Sequence, residues 1–421
     1  MTMIRTRLAL LVVTLLAVGR AGGADEPDRQ PRVAVITTAY YHNSHADVIA
    51  SRLLEGFTLD GQGPRPALRL ATLFTDQVPA NDTSRALAAR HGFTIHDTVA
   101  GALTAGSGTL AVDGVLLIAE HGRYPESDTG QIIYPKRRLF AEILEVCDAA
   151  GRVVPVFCDK HLADTWDDAR WIYDEAARRG IPLLAGSSVP GTWRRPAADV
   201  EAGRPLREIV ALSYHRLDAY GFHALEMVQA LAERRAGGET GVRQVRCLRG
   251  ADAWRAFADG TCDRRLLDRC FASLQERPLP PGSVPEQLCP DADLFVIDYR
   301  DGLRAGILSW SGDWHVVEWS AAWRYADRDE TAATLFWTQE ARPFMHFTRQ
   351  VEGIEELVRT GRPPWPVERT LLTSGLLDAL LVSRRDGSRL VETPWLELAY
   401  RSNCSWREPP PPPPGRPIDG P

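Results

Sequence analysis

The sequence predicts a doubly wound α/β sheet of parallel strands, followed by an α+β region with an open, mostly antiparallel sheet. Three observations carry that prediction. From Arg32 to Ala185 short apolar runs alternate with helical periodicity, which implies parallel strands covered on both faces. After about Pro190 the pattern changes to strands joined by tight turns such as Arg300-Asp301-Gly302, which read as antiparallel hairpins. The chain has 421 residues, enough for two or three hydrophobic cores.

In the first half, residues 33–36, 68–74, 112–119, 153–157 and 181–184 read as buried strands. Helices are expected at 47–57, 83–90, 98–103 and 135–149, and at 164–179 with Asp164 as its N-cap. Gly92, Gly151 and Gly180 close three of them. In the second half, strands are expected at 209–214, 242–248, 293–299, 303–310 and 315–319, and helices at 222–234, 348–359 and 366–384. Residues 405–421 are proline-rich and are expected to form an unpacked, disordered tail. The predicted organisation is therefore 31–190, 191–404 and the tail.

The N-terminus differs in kind. Residues 1–7 carry two arginines and no acid, and an apolar run with one threonine follows. Ala21-Gly22-Gly23-Ala24 then precede Asp25-Glu26. This is the layout of a secretory signal peptide over residues 1–24, predicting general, Sec-type export to a periplasmic or extracellular location. The apolar run, residues 8–18, is shorter than the ~20 residues that span a bilayer. An uncleaved N-terminal anchor remains the alternative reading.

A net charge of −6 gives no general attraction to nucleic acid or anionic membrane. There are seven cysteines. Cys247, Cys262, Cys270 and Cys289 share one stretch where a disulfide could form in an oxidising compartment, and Cys147 and Cys158 read as buried thiols.

A dinucleotide-binding turn follows its first strand with G-x-G-x-x-G. Here the three glycine positions hold Thr37, Ala39 and His42. Threonine is stiff at χ1 and alanine adds a methyl where a pyrophosphate would approach. Two readings stay open: a different α/β fold, or a dinucleotide-type fold with an altered turn.

Further motifs then occur in order. They are His91-Gly92-Phe93, the run Val112-Asp113-Gly114-Val115, and Asp159-Lys160-His161-Leu162-Ala163 followed by Thr165 and a helix. Tyr220-Gly221-Phe222-His223 begins another helix, with Glu226 three residues on. Together they resemble the glucose–fructose oxidoreductase, inositol dehydrogenase and rhizopine-catabolism family (Gfo/Idh/MocA), over about Arg32 to Ala399. That resemblance implies a Rossmann-type domain and an oxidoreductase acting on a sugar or polyol with NAD or NADP. Lys160 takes the place of the family's Glu-Lys-Pro lysine and His223 that of its proton-transfer histidine. Cofactor contacts are implied at Thr37, Thr38, Ala39, Tyr40, Glu120 and Asp159. Substrate contacts are implied at His161, Trp193, Arg194 and Arg195, and homo-oligomerisation through the C-terminal sheet. The sequence departs at the glycines, at His161 for proline, and at the aspartate before the histidine, where Asp218 is one residue out of place.

The residues also support blander readings. His42 and His45 could share a helix face and bind a metal with Asp159, His161, Glu120 or His121. Among twelve tryptophans, Trp310, Trp314, Trp319 and Trp323 could stack on a sugar or pack a core. The alternative function is a non-redox or non-catalytic carbohydrate-binding protein on the same scaffold.

Overall fold

Six short strands pair in parallel, five of them apolar runs hydrophobic on both faces and one, Thr94–His96, a short polar edge. They are β1 (Arg32–Thr37), β2 (Arg69–Thr75), β3 (Thr94–His96), β4 (Gly114–Ile118), β5 (Val156–Asp159) and β6 (Leu183–Gly186). In the computed structural model, which describes residues 29–310 and 316–418, their order is β3-β2-β1-β4-β5-β6. The order reverses between β1 and β4, so a crevice opens there at the carboxyl ends of the strands. Helices α1 (His45–Glu55), α2 (Ser84–His91), α3 (Val99–Thr104), α4 (Lys136–Ala150) and α5 (Trp166–Arg179) connect them.

Alternate strand residues serve opposite faces. Ile36, Leu117 and Cys158 pack with Phe140, Ile143 and Ile172 of α4 and α5. Val35, Leu116 and Phe157 pack with Ile49 and Leu53 of α1. Two helices from the far end of the chain complete this cover: Ile354 and Leu357 join the α1 face and Leu371 joins the other. The expected break at 190 is therefore crossed by packing, and residues from Pro31 onward cluster as one unit.

The second sheet contains β7 (Trp193–Arg195), β8 (Leu206–Tyr214), β9 (Val242–Arg249), β10 (Asp293–Tyr299), β11 (Arg304–Trp310), β12 (Trp319–Tyr325), β13 (Thr331–Trp337) and β14 (Val391–Glu392). Its order is β14-β9-β10-β11-β8-β12-β13-β7, antiparallel except where β8 and β11 pair in parallel. It carries α6 (Phe222–Ala232), α7 (Ala251–Ala258), α8 (Arg264–Ser273), α9 (Pro285–Leu288) and most of α11 (Val367–Arg385), while α10 (Thr348–Thr360) covers the first sheet.

Several expectations change. Thr165, not Asp164, caps α5, accepting from Asp168 N. The strand expected at 315–319 begins instead at Trp319; His315 lies outside the described residues, as do Trp314 and the expected signal peptide at 1–24. No disulfide is formed; Cys247, Cys262 and Cys270 are buried thiols. The proline-rich end packs up to Ile418 instead of trailing as a disordered tail. The Trp193 indole donates to the carbonyls of Pro409 and Pro410 at 3.1 Å, and Gln339 donates to Pro413 at 2.7 Å. Proline lacks a donor but keeps its carbonyl, so neighbouring side chains can hold an extended proline run. No described helix is long and apolar enough to cross a membrane.

Candidate functional site

The residues just beyond β1, β4, β5 and β6 meet along one edge of the first sheet, and the start of α6 faces them. The turn after β5 is the most constrained part of that edge. Lys160 adopts a left-handed backbone (φ 59°), which disfavours a non-glycine residue by about 1–2 kcal/mol. Its N–H donates to Gly186 O at 3.2 Å. Beneath it, the fully buried Lys136 of α4 donates from Nζ to Asp159 O at 2.8 Å and to His161 O at 2.6 Å. The fixed φ of a proline at 161 is therefore replaced by an ammonium that holds both flanking carbonyls.

Lys160 Nζ lies 3.0 Å from Glu120 Oε1, and both side chains are buried. Burial pushes the Glu120 carboxyl up, but the charges of Lys160, His45, Lys136 and His161 outweigh it and hold it well below the usual carboxylate range. Glu120 is thus ionised, and its Oε2 has no protein partner.

Ser44 caps α1, which puts His45 at the helix start. His45 Nδ1 is 2.6 Å from Asp159 Oδ2. The neighbouring His121 is pushed down to about 4, chiefly by burial and then by the His45 charge, so it is neutral at neutral pH. Burial, helped by Lys160 and His45, holds His223 well below the usual imidazole range. Its Nδ1 is 2.6 Å from Ser187 Oγ, which already accepts from Val189 N at 3.0 Å. A hydroxyl oxygen can accept twice, so either neutral tautomer of His223 satisfies this contact.

These groups line a cleft of about 390 Å³, together with Tyr134, His161, Arg216, Asp218, Tyr220, Trp319 and His346. Tyr220 and Trp319 stack with centroids 5.5 Å apart. The other tryptophans divide by burial: Trp310 and Trp323 belong to the second core.

Lys160, His223, Glu120, Asp159 and His161 are thus brought together. The remaining expected residues are not. Thr37, Thr38, Ala39 and Tyr40 are almost fully buried and point into the scaffold. Trp193, Arg194 and Arg195 lie on the far edge strand of the second sheet, where Arg194 pairs with Asp199 at 2.5 Å. Glu226 accepts from Thr370 and Thr373 at 3.0 and 2.7 Å, below Gly186, and makes no bond to His223. His42 and His45 do not converge: His42 Nδ1 is 4.0 Å from Asp47, while His45 turns to Asp159. No described group of three or more His, Cys, Asp or Glu is arranged to hold a metal. Sequence reasoning missed Lys136, and it weighed His45 only as a metal ligand.

The crevice above β1 is bridged within the chain. The loop after β4 crosses it and joins the loop after β2. Gln77 Nε2 donates to Arg123 O and Arg123 N donates to Gln77 Oε1, both at 2.9 Å. Tyr124 OH donates to Asp76 Oδ2 at 2.6 Å, occupying the carboxylate at the end of β2 where a ribose would bond. A Cβ on Gly122 would meet the Tyr124 ring at 2.7 Å, so the bridge is tightly packed. At the head of α1 the place of a phosphate is taken by the chain's own Asp47, which accepts from Asn43 N at 2.9 Å and Arg342 Nη1 at 2.7 Å.

No protein-family model and no curated protein matches the chain. Solved structures share its fold. GenD2 from gentamicin A biosynthesis, solved in complex with NAD, superposes with a TM-score of 0.54 at 17% identity, covering 89% of this chain and 99% of that one. A myo-inositol 2-dehydrogenase from Lactobacillus plantarum gives 0.53 at 12% identity, covering 86% and 99%. A scyllo-inositol dehydrogenase from Lactobacillus casei gives 0.54 at 10% identity, covering 87% and 98%. The fold expected from the Gfo/Idh/MocA resemblance, a Rossmann-type sheet followed by an α+β domain, is therefore the fold observed.

Proposed function

We propose that the protein is an enzyme of this oxidoreductase-type fold that acts on a polyhydroxylated small molecule, of the sugar or polyol class, by proton transfer. It does so without a dinucleotide in the crevice above β1. The observation that supports this most is the convergence of Lys160, Glu120, His45 and His223 on one cleft, with Asp159 buried behind His45. The Lys160 ammonium, oriented by Glu120, meets negative charge that develops on a substrate oxygen. Neutral His223 exchanges a hydrogen bond with a substrate hydroxyl or carbonyl oxygen. The stacked Tyr220 and Trp319 offer an apolar wall to the C–H face of a ring. Export, expected from the N-terminal segment, accords with chemistry that needs no diffusible cofactor.

A second reading, hydride transfer with NAD or NADP, is favoured by the fold shared with the NAD complex of GenD2. The two part on a simple measurement. Mass spectrometry of the purified native protein should find no dinucleotide, and NAD, NADH, NADP and NADPH should leave Tm unchanged. A sugar or polyol from a small panel should raise Tm, and Lys160→Ala should abolish that rise. A bound dinucleotide would falsify the cofactor-free reading and restore hydride transfer. A panel that binds Lys160→Ala as well as wild type would remove Lys160 from the site.

A further inference from the structure

We propose that His45, held by Asp159, is the proton acceptor of this cleft. The reaction it serves is proton abstraction from the carbon beside a carbonyl in a hydroxy-carbonyl substrate, such as a reducing sugar or a cyclic polyol ketone. The proposal rests on the acid–base reading above and adds its base and its reaction class.

The geometry sets the tautomer. An ionised carboxylate can only accept, so the 2.6 Å contact between His45 Nδ1 and Asp159 Oδ2 places a proton on Nδ1. In its base form the ring then carries its lone pair on Nε2. Asp159 is buried, while the His45 side chain keeps 16% exposure and lines the cleft, with no described hydrogen bond to Nε2. Phe347 packs edge-on to the ring and His121 lies beside it, both with centroids 5.3 Å away, so the imidazole is fixed on two sides. This is the orienting half of a carboxylate–histidine pair, with the accepting nitrogen turned to the ligand space.

The remaining groups complete the step. His45 Nε2 takes the proton from carbon, the C–H pair moves into the enediolate, and the new oxyanion is met by the Lys160 ammonium. The proton then returns from Nε2 to the adjacent carbon while the proton of the neighbouring hydroxyl passes to the oxyanion, giving an aldose–ketose isomer or, in a cyclic polyol ketone, a shifted carbonyl. Nothing is oxidised or reduced overall, so the step needs no hydride carrier, in keeping with a crevice closed by the Gln77–Arg123 and Tyr124–Asp76 bonds.

Two measurements on the full chain test it. The first is ¹⁵N NMR of the histidine rings, with His45 assigned by comparison with His45→Gln. Across a pH titration the neutral form of the ring is expected to carry its proton on Nδ1 and leave Nε2 bare, with that preference lost in Asp159→Asn. A ring protonated on Nε2 instead overturns the dyad, whatever the ligand. The second incubates the protein in D₂O with a panel of aldoses, ketoses and cyclic polyol ketones, following deuterium at the carbon beside the carbonyl by ¹H NMR. Binding is read separately by saturation transfer. Exchange of at least one panel member is expected, falling about 100-fold in His45→Gln while binding persists. Exchange retained in His45→Gln overturns the base assignment. Binding without exchange in wild type overturns proton abstraction but leaves the polyol-binding reading standing. If no panel member binds, the polyol-binding reading fails and proton abstraction with it, while the ring tautomer still decides the dyad.

Discussion

The turn after β1 and the turn after β5 each depart from the motif they resemble, and they are supported in opposite ways. After β1, where glycines would stand, side chains fill the space. Thr37 Oγ1 donates to Ile118 O at 2.8 Å, Thr38 Oγ1 donates to Glu120 O at 2.9 Å, and the Tyr40 hydroxyl lies 2.8 Å from Ser51 Oγ. The left-handed residue is displaced to Asn43 (φ 62°), just before the helix cap. After β5, where a proline would stand, the support comes from below. Lys136 reaches up from α4 and holds the carbonyls of Asp159 and His161, leaving the upper side of the turn to Lys160 and the cleft. Support from within a turn closes it to ligands, whereas support from beneath keeps it open.

Removing the support from beneath should have the largest effect. Lys136→Met leaves two buried carbonyls without their donor, at about 1–3 kcal/mol each, so a loss of about 2–5 kcal/mol in urea unfolding is expected. Ligand-induced stabilisation should vanish with it, because Lys160 loses its seat. A loss below about 1 kcal/mol would mean that local backbone preference, not the ammonium, sets the turn, and the contrast with β1 would collapse.

An effect of comparable size, but pH-dependent, is expected at the residue the turn presents. In the folded protein the Glu120 carboxyl is held below its usual range, against burial, by Lys160 first among the nearby charges. A depressed carboxyl contributes stability above its unfolded pKa and loses it as pH falls through the folded pKa. Lys160→Met strands the Glu120 charge at neutral pH, where a loss of about 3–5 kcal/mol is the upper bound for a broken buried pair. Relief of the left-handed backbone does not offset it, since methionine is strained there too. The deficit should shrink toward pH 4, where Glu120 of the variant is protonated. A deficit independent of pH between 4 and 7 would show that Lys160 packs there rather than balancing a charge.

The same contrast explains what could be read from the sequence. The parallel sheet was legible because β1, β2, β4, β5 and β6 are uninterrupted apolar runs flanked by helices with clear glycine ends. β3 has three residues and no apolar run, so it left no signal. In the second half, α7 and α8 went unread, and β12 was placed too early because Trp-Ser-Ala-Ala-Trp-Arg-Tyr holds no β-branched residue. Lys160 and His223 were legible through motifs near them in sequence. Lys136 was not, since a lysine opening a helix reads as solvated, and only the fold shows its ammonium under a strand end 23 residues away. Nor could spacing show that His45 turns to Asp159, 114 residues away.

The gentlest change bears on the turn after β1. Ala39→Gly reinstates the middle glycine of the lost motif at a site where alanine is almost fully buried. If missing glycine were the barrier to a dinucleotide, this variant should begin to show a thermal shift with NAD or NADP. The bridge above β1 predicts otherwise, because Gln77, Arg123 and Tyr124 still cross the crevice and Asp47 still occupies the head of α1. The expected result is a loss of about 0.5–1 kcal/mol from added backbone freedom, with no response to either cofactor. A cofactor response in Ala39→Gly would place the block in one methyl group. A response seen only after Gln77→Ala and Tyr124→Phe are added would place it in the bridge.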